Sequence, residues 1–366
     1  MNVARSTVGI LWVVLALLAC APARAQSPDL QSAPVPSPKD CRDDCPDDCG
    51  FSWNDACPAV YGQVEAMFMT REPHFAQQPM VVGETTLLST SDLDFDFEPG
   101  VRATVGVRPC GGRAWEFSYF GLWQGDASAI VEGDLLTFPG DAGGNVFPWM
   151  DWVRVDYSSW LHSFELNSSC CNGCCDQGDS GKGGDKGKGG EGSCGDGRCR
   201  SFEWIAGFRY INLGEELHIA AQGAEPGEQG TYNIRTANHL YGGQLGARLR
   251  RSQGLFGWEA TGKAGIFGND AQQTQSVEDY LYTIRPLVSN GGGQVAFVGE
   301  INISALCRLT DVWNLRAGYN AMWIEGLALA PDQLDFNFAT APSGNQLHNG
   351  GGMFLHGANV GLEARW

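Results

Sequence analysis

Apolar residues alternate with polar ones, at a period of two, in ten separate stretches of this chain. A strand turns successive side chains to opposite faces, so each stretch is expected to have one apolar and one polar face. The stretches run over about 61–70, 101–108, 113–123, 151–167, 202–213, 231–249, 255–267, 294–309, 313–326 and 352–366. In RAWEFSYFGLW, Trp115, Phe117, Tyr119 and Trp123 share one face, opposed by Ala114, Glu116 and Ser118. In FGWEATGKAGIF, Phe256, Trp258, Ala260, Ala264 and Ile266 oppose Glu259, Thr261 and Lys263. In WNLRAGYNAMW, Trp313, Leu315, Ala317, Tyr319 and Trp323 oppose Asn314, Arg316 and Asn320. The stretch 151–167 changes parity, from Val153, Val155 and Tyr157 to Trp160, Phe164 and Leu166, which calls for a bulge near Ser158-Ser159.

Two architectures give such alternation. A sandwich buries its apolar faces against each other, and a membrane barrel turns them to lipid. Aromatic residues sit near both ends of several stretches. At about 3.4 Å per residue, Trp115 and Trp123, or Trp313 and Trp323, lie roughly 27–34 Å apart along the strand. On a tilted strand that approximates an apolar band of about 25 Å flanked by two aromatic girdles. Charges occupy the opposite face: Glu65, Arg102, Glu116, Glu203, Arg209, Glu259, Lys263, Glu300, Arg308, Arg316 and Glu363. A sandwich would expose them to water, whereas a narrow barrel would pair acid with base across its lumen.

The connections decide between the two. In order they are 71–100, 109–112, 124–150, 168–201, 214–230, 250–254, 268–293, 310–312 and 327–351, so long and short alternate apart from 168–201. Long external loops with short periplasmic turns, and an even strand number, organise an outer-membrane barrel. We therefore expect an all-β, antiparallel, up-and-down transmembrane barrel of about ten strands. Twelve become possible if 126–137 or 279–288 hides further strands.

The rest of the chain fits an exported protein. Arg5, the apolar run Val8–Ala19 and Ala23-Arg24-Ala25 read as a signal peptide over 1–25. Leu17-Leu18-Ala19-Cys20 offers a competing lipidation site at Cys20. Residues 26–60, rich in Cys, Pro and Asp, read as a periplasmic tether, leaving 61–366 for the barrel. Cleavage removes Arg5 and Arg24 but no acid, leaving 22 basic and 42 acidic residues and a net charge of −20. Such a charge disfavours nucleic acid. The segment 168–201 is Cys-, Gly- and Lys-rich low-complexity sequence and reads as a disordered insertion.

Twelve cysteines remain after cleavage, none in an expected external loop: Cys41, Cys45, Cys49, Cys57, Cys110, Cys170, Cys171, Cys174, Cys175, Cys194, Cys199 and Cys307. In an exported chain they are disulfide candidates, with tether and insertion forming one cross-linked periplasmic patch. Self-association through them is a further possibility, and Cys171, Cys174, Cys194 and Cys199 also have a loose four-thiolate spacing.

Enzyme motifs are absent: there is no G-x-S-x-G, H-E-x-x-H or Walker pattern, and the six histidines are scattered. We expect no enzyme and no cofactor. Asp92, Asp94, Asp96 and Glu98 alternate in SDLDFDFEPG, which suits either a solvated face or Ca²⁺.

Several short motifs are similar to the β-barrel porin family expanded in planctomycetes, of the BBP7 type. They are FEPGVRATVG (97–106), WEFSYFGLW (115–123), GFRYINL (207–213), NHLYGGQLGARL (238–249), GIFGND (265–270), LRAGYNAMWIEGLALAPDQ (315–333) and the closing strand. The resemblance spans about 53–366 and implies a barrel in the cell outer membrane, with the lipid bilayer and the barrel assembly machinery as partners. It also suggests a role for the aromatic end: Asn359, Gly361, Ala364 and Trp366 match the C-terminal signal read by that machinery. Two functions follow as expectations, a porin or small-solute channel and a structural or adhesive surface barrel with a closed lumen. Ten strands favour an interior filled by side chains.

Overall fold

The computed structural model describes residues 59–74, 77–83, 86–108, 113–140, 149–171, 198–223, 227–279, 283–337, 344 and 346–366. The expected signal peptide, nearly all of the expected tether and residues 172–197 of the insertion lie outside the described residues.

Among the described residues twelve strands form, and ten of them close a barrel. They are β1 (Ala59–His74), β2 (Pro79–Val82), β3 (Thr86–Ser89), β4 (Glu98–Arg108), β5 (Ala114–Leu136), β6 (Met150–Cys171), β7 (Arg198–Gly223), β8 (Gln229–Gln253), β9 (Phe256–Glu278), β10 (Thr283–Arg308), β11 (Trp313–Leu327) and β12 (Gly351–Arg365). The barrel runs β1-β12-β11-β10-β9-β8-β7-β6-β5-β4 and returns to β1, while β2 and β3 form a separate two-stranded sheet. Every barrel pair is antiparallel, and the ring closes from Tyr61↔Arg365 to His74↔Gly352. Reciprocal backbone bonds between Val60 and Trp366 seal the terminal end. The stretch 126–137 lengthens β5 to Leu136, and the described part of 279–288 from Thr283 on belongs to β10.

The strands are of two lengths. β5 to β10 have 22 to 26 residues, whereas β4, β11, β12 and β1 have 11 to 16. A tilted strand crosses a bilayer in about 9–11 residues. Six neighbouring strands therefore continue well past the bilayer at the long-loop end. They form a curved wall there, and the other four stop near the membrane.

This overhang explains the parity change in β6. Its odd residues point inward along the whole strand: Val153, Val155, Tyr157, Ser159, Leu161, Ser163, Glu165 and Asn167 are buried. Pairing with β7 runs unbroken through Ser158↔Glu216 and Ser159↔Glu215, so the expected bulge at Ser158-Ser159 is absent. The register shift lies instead on β5, between Leu122 and Gly125. What reverses in β6 is the solvent, not the backbone. Below about Trp160 the outside is lipid, so Phe164 and Leu166 face outward. Above it the outside is water, so Val153, Val155 and Tyr157 turn in. β7 does the same with Trp204 and Phe208 exposed below and Ile211, Leu213, Leu217 and Ile219 buried above. In β9 the outward residue after Ile266 and Gly268 is exposed Asp270. The membrane-spanning parts so defined are roughly 60–70, 100–108, 114–123, 160–170, 202–213, 238–250, 256–268, 294–306, 313–324 and 354–365.

Candidate functional site: a charged lumen under an inward-folded strap

Within the membrane zone the lumen holds an interlocked belt of charge. Arg316 sits fully inside, donating to Glu259 at 2.8 Å and to Glu363 at 2.8 Å, with Glu65 at 3.4 Å. Arg209 bonds Glu300 at 2.8 Å and Ser163 at 2.9 Å. Lys263 lies 2.8 Å from Glu165 and 3.3 Å from Glu300, and Arg102 is 2.6 Å from Glu300. Arg248 grips both oxygens of Glu116, at 2.6 and 2.9 Å. Towards the terminal end Glu203 accepts from Arg108 at 2.6 Å, and Glu363 from Arg250 and Arg365 at 2.9 and 2.7 Å.

These contacts join seven carboxylates to eight cations among the described residues, so the belt is close to neutral. The chain's net charge of −18 must lie elsewhere. A bare charge in a low-dielectric lumen would be costly, and pairing offsets that cost only where the geometry satisfies both partners. The strands supply that geometry because their inward residues recur every second position and meet across a narrow ring. A cavity of about 70 Å³ remains, lined by Arg102, Glu116, Glu165, Arg248, Lys263 and Glu300 among others. It suits a few water molecules.

At the long-loop end two connections pack into the barrel among the described residues. In the β1–β4 connection, Met80, Val81, Leu88, Leu93 and Phe95 enter the apolar core inside the wall. There they meet Val153, Val155, Tyr157, Leu217, Ile219, Ile234 and Val277. Asp92, Asp94 and Asp96 face outward between them, so their alternation is that of a cover over an apolar core. The β11–β12 connection was expected to be an external loop. Its first part, Leu327 to Phe336, instead folds into the barrel: Leu327, Ala328, Leu329 and Ala330 are wholly buried, and Leu334 and Phe336 nearly so.

Polar side chains of four wall strands hold this strap. Asn238 of β8 bonds Ala328 twice, Nδ2 to the carbonyl and Oδ1 from the amide, both at 2.8 Å. Asn269 of β9 donates to the Gly326 carbonyl at 2.9 Å. Glu215 of β7 accepts the Ala330 amide at 2.7 Å and pairs with Arg71 of β1 at 2.6 Å. Gln275 reaches the Gln333 carbonyl at 2.8 Å, and Arg285 of β10 the Asp335 carbonyl at 3.1 Å. Burial pushes the Tyr232 phenol up to about 12, against the pull of Arg285. It therefore stays protonated and donates to Gln275 at 2.9 Å.

Glu65, Glu116, Glu203, Arg209, Glu259, Glu300, Arg316 and Glu363 are buried in this interior. Arg102 and Lys263 line the cavity. Arg308 ends β10, half-buried at the rim. Glu165, Arg108, Arg248, Arg250 and Arg365 complete the belt but were missed: Glu165 because of the parity change expected in its strand, and the arginines because they lie at or just past the ends of their stretches. The strap was missed too, although four consecutive apolar residues, Leu327 to Ala330, are out of character for an external loop. Among the cysteines, Cys170 is a free, exposed thiol and Cys307 is disulfide-bonded. Cys171 and Cys199 lie within β6 and β7, and Cys41, Cys45, Cys49, Cys57, Cys110, Cys174, Cys175 and Cys194 lie outside the described residues. Among the described residues no cluster of His, Cys, Asp and Glu could hold a metal ion. At the C-terminus, Asn359 and Ala364 are buried, and Trp366 is exposed.

A closed ring of ten antiparallel strands, charged within and apolar without over the membrane zone, defines a transmembrane β-barrel. The family model described as "Putative beta barrel porin-7 (BBP7)" matches residues 69–366, and the chain belongs to that porin-like outer-membrane barrel family. No curated protein matches the chain. Among solved structures, the Escherichia coli outer membrane protease OmpT is similar at 8% identity and a TM-score of 0.45, over 86% of this chain and 100% of that one. A Pseudomonas aeruginosa FadL homologue is similar at 7% identity and a TM-score of 0.22, over 84% and 90%. The Ralstonia pickettii toluene transporter TbuX is similar at 8% and 0.17, over 84% and 89%.

Proposed function

We propose that this protein is a closed outer-membrane barrel that anchors a surface structure, and not a pore for free diffusion. The wall formed by β5 to β10 and the two connections packed into it are the part it presents outward. The observation that carries this reading is the strap: Leu327–Phe336 is buried in the barrel above a belt whose charges are already paired. In the same proposal residues 1–25 direct export and the long-loop end faces outward. Asn359, Gly361, Ala364 and Trp366 present the assembly signal. The cysteines of the tether and insertion cross-link beneath the barrel. A gated small-solute channel is the second reading. It draws on the porin-like family and on a strap held by hydrogen bonds that could be exchanged for water.

The test is conductance of the purified, refolded protein in a planar bilayer, with the pure detergent as control. Protein that is heat-modifiable on a gel and electrically silent supports the closed barrel. Stable ohmic steps from the unmodified chain would overturn it in favour of the channel.

A further inference from the structure

On the lipid-facing side of β5 to β8, aromatic rings lie directly opposite one another across four strands: Tyr119↔Phe164, Phe164↔Tyr210 and Tyr210↔Tyr241. Their ring centroids are 5.1, 6.3 and 4.8 Å apart. One step towards the long-loop end runs a polar row in the same register. His162 faces Asn212, Asn212 faces His239, and His239 faces Asp270. Each histidine is tied to the row below it. Tyr119 Oη lies 2.9 Å from His162 Nδ1, and Tyr210 Oη lies 2.9 Å from His239 Nδ1.

Where the phenol donates to Nδ1, the ring proton sits on Nε2, and the site is built on that tautomer. Nε2 of His162 and of His239, and the Asn212 amide, have no partner among the described residues. They are oriented donors at the level where the apolar band gives way to the water-facing wall. Beyond the aromatic row, Gly243 and Gly268 leave open space on the lipid face beside Tyr241. A third pair, Tyr319 with His356 at 2.6 Å, repeats the geometry on β11 and β12. There Nε2 already faces Glu72 at 3.4 Å.

We propose that His162, Asn212, His239 and Asp270 bind the headgroup of a zwitterionic phospholipid in the surrounding leaflet. Nε2–H of the two histidines and the Asn212 amide donate to its phosphate oxygens. Asp270, about one strand spacing of 4.8 Å beyond His239, takes its ammonium. An acyl chain lies against the aromatic row and over Gly243 and Gly268. The site rests on the membrane-barrel reading of the fold and is independent of whether the lumen conducts.

The test is native mass spectrometry of the full chain, released from detergent after incubation with short-chain phosphatidylethanolamine, phosphatidylglycerol or inorganic phosphate. We expect retention of one phosphatidylethanolamine, several-fold above phosphatidylglycerol. The variant H162F/N212L/H239F should lose retention by tenfold or more, and D270N should erase the preference between the lipids. H356F should behave as wild type. Heat-modifiability reports folding of every variant, and D270N changes only one exposed side chain. Equal retention by the wild type and the triple variant would overturn the site. Displacement of the lipid by millimolar phosphate would overturn it as a lipid site. Failure of folded wild type to enter liposomes would instead remove the membrane reading beneath it.

Discussion

Arg316 shows how much one residue carries. It is buried and shared by Glu65, Glu259 and Glu363. Replacing it with Met would leave three buried carboxylates facing one another without their common cation. Breaking a buried ion pair costs about 3–5 kcal/mol, so R316M should lose about that much in reversible urea unfolding followed by tryptophan fluorescence. A loss below about 1 kcal/mol would mean that water already screens the belt. Glu98 offers a second test. It is half-buried just above the membrane zone, in space left by Gly125, where a Cβ would collide with it. Burial raises its carboxyl to about 7, with Arg71 opposing and Asp126 adding to the rise. Unfolded, it returns to about 4.5. Between those values the folded chain binds more protons, so stability falls as pH rises from about 4.5 to 7. E98Q should match wild type at pH 4 and exceed it at pH 8. Parallel pH curves for the two proteins would refute the burial argument.

Among the elements, the strap depends on the strands that hold it. The backbone groups of Ala328 are buried, and both bond Asn238. N238L would leave them without partners in an apolar setting, at about 1–3 kcal/mol for each unsatisfied group. The barrel closes through its own ladder, so we expect the variant to fold and stay heat-modifiable. Limited proteolysis should then cut within 327–337, where wild type resists. Resistance equal to wild type would mean that apolar packing of Leu327 and Leu329 holds the strap unaided. Gly361 illustrates a residue with two explanations. It fits the expected assembly signal, yet a Cβ there would also collide with the Val64 carbonyl of β1. Closure of the ring between β12 and β1 needs glycine at that position whatever reads it.

For the whole molecule, unequal strand lengths set the stability map. β5 and β10 border the tall wall. Past the membrane, β10 pairs with β9 from Thr283 to Gly293 and has no β11 beside it there, because β11 pairing stops at Phe297↔Glu325. β5 meets β4 only up to Gly100↔Leu122. Hydrogen exchange should therefore be fast at amides of 283–293 that point away from β9, and slow over 203–223 of β7 and 231–253 of β8, which are paired on both sides. Uniform protection across β5 to β10 would show that another segment covers those edges.

Sequence alone was enough for the barrel and about ten strands, and it placed Glu65, Glu300 and Arg316 on the polar face while missing Glu165, Arg248 and Arg250. The reason is local: a strand between lipid and a polar lumen must alternate at every second residue, and that pattern survives in one dimension. Tertiary structure decided where the membrane stops. Val153, Val155 and Tyr157 obey the same inward parity as Glu165, and only the medium outside the wall changes, which periodicity by itself does not record. It also decided the fate of Leu327 to Phe336, because a strap folds inward only when Glu215, Asn238, Asn269 and Gln275 meet it from three separate strands. Those residues lie far apart in the chain and come together only once the barrel has closed.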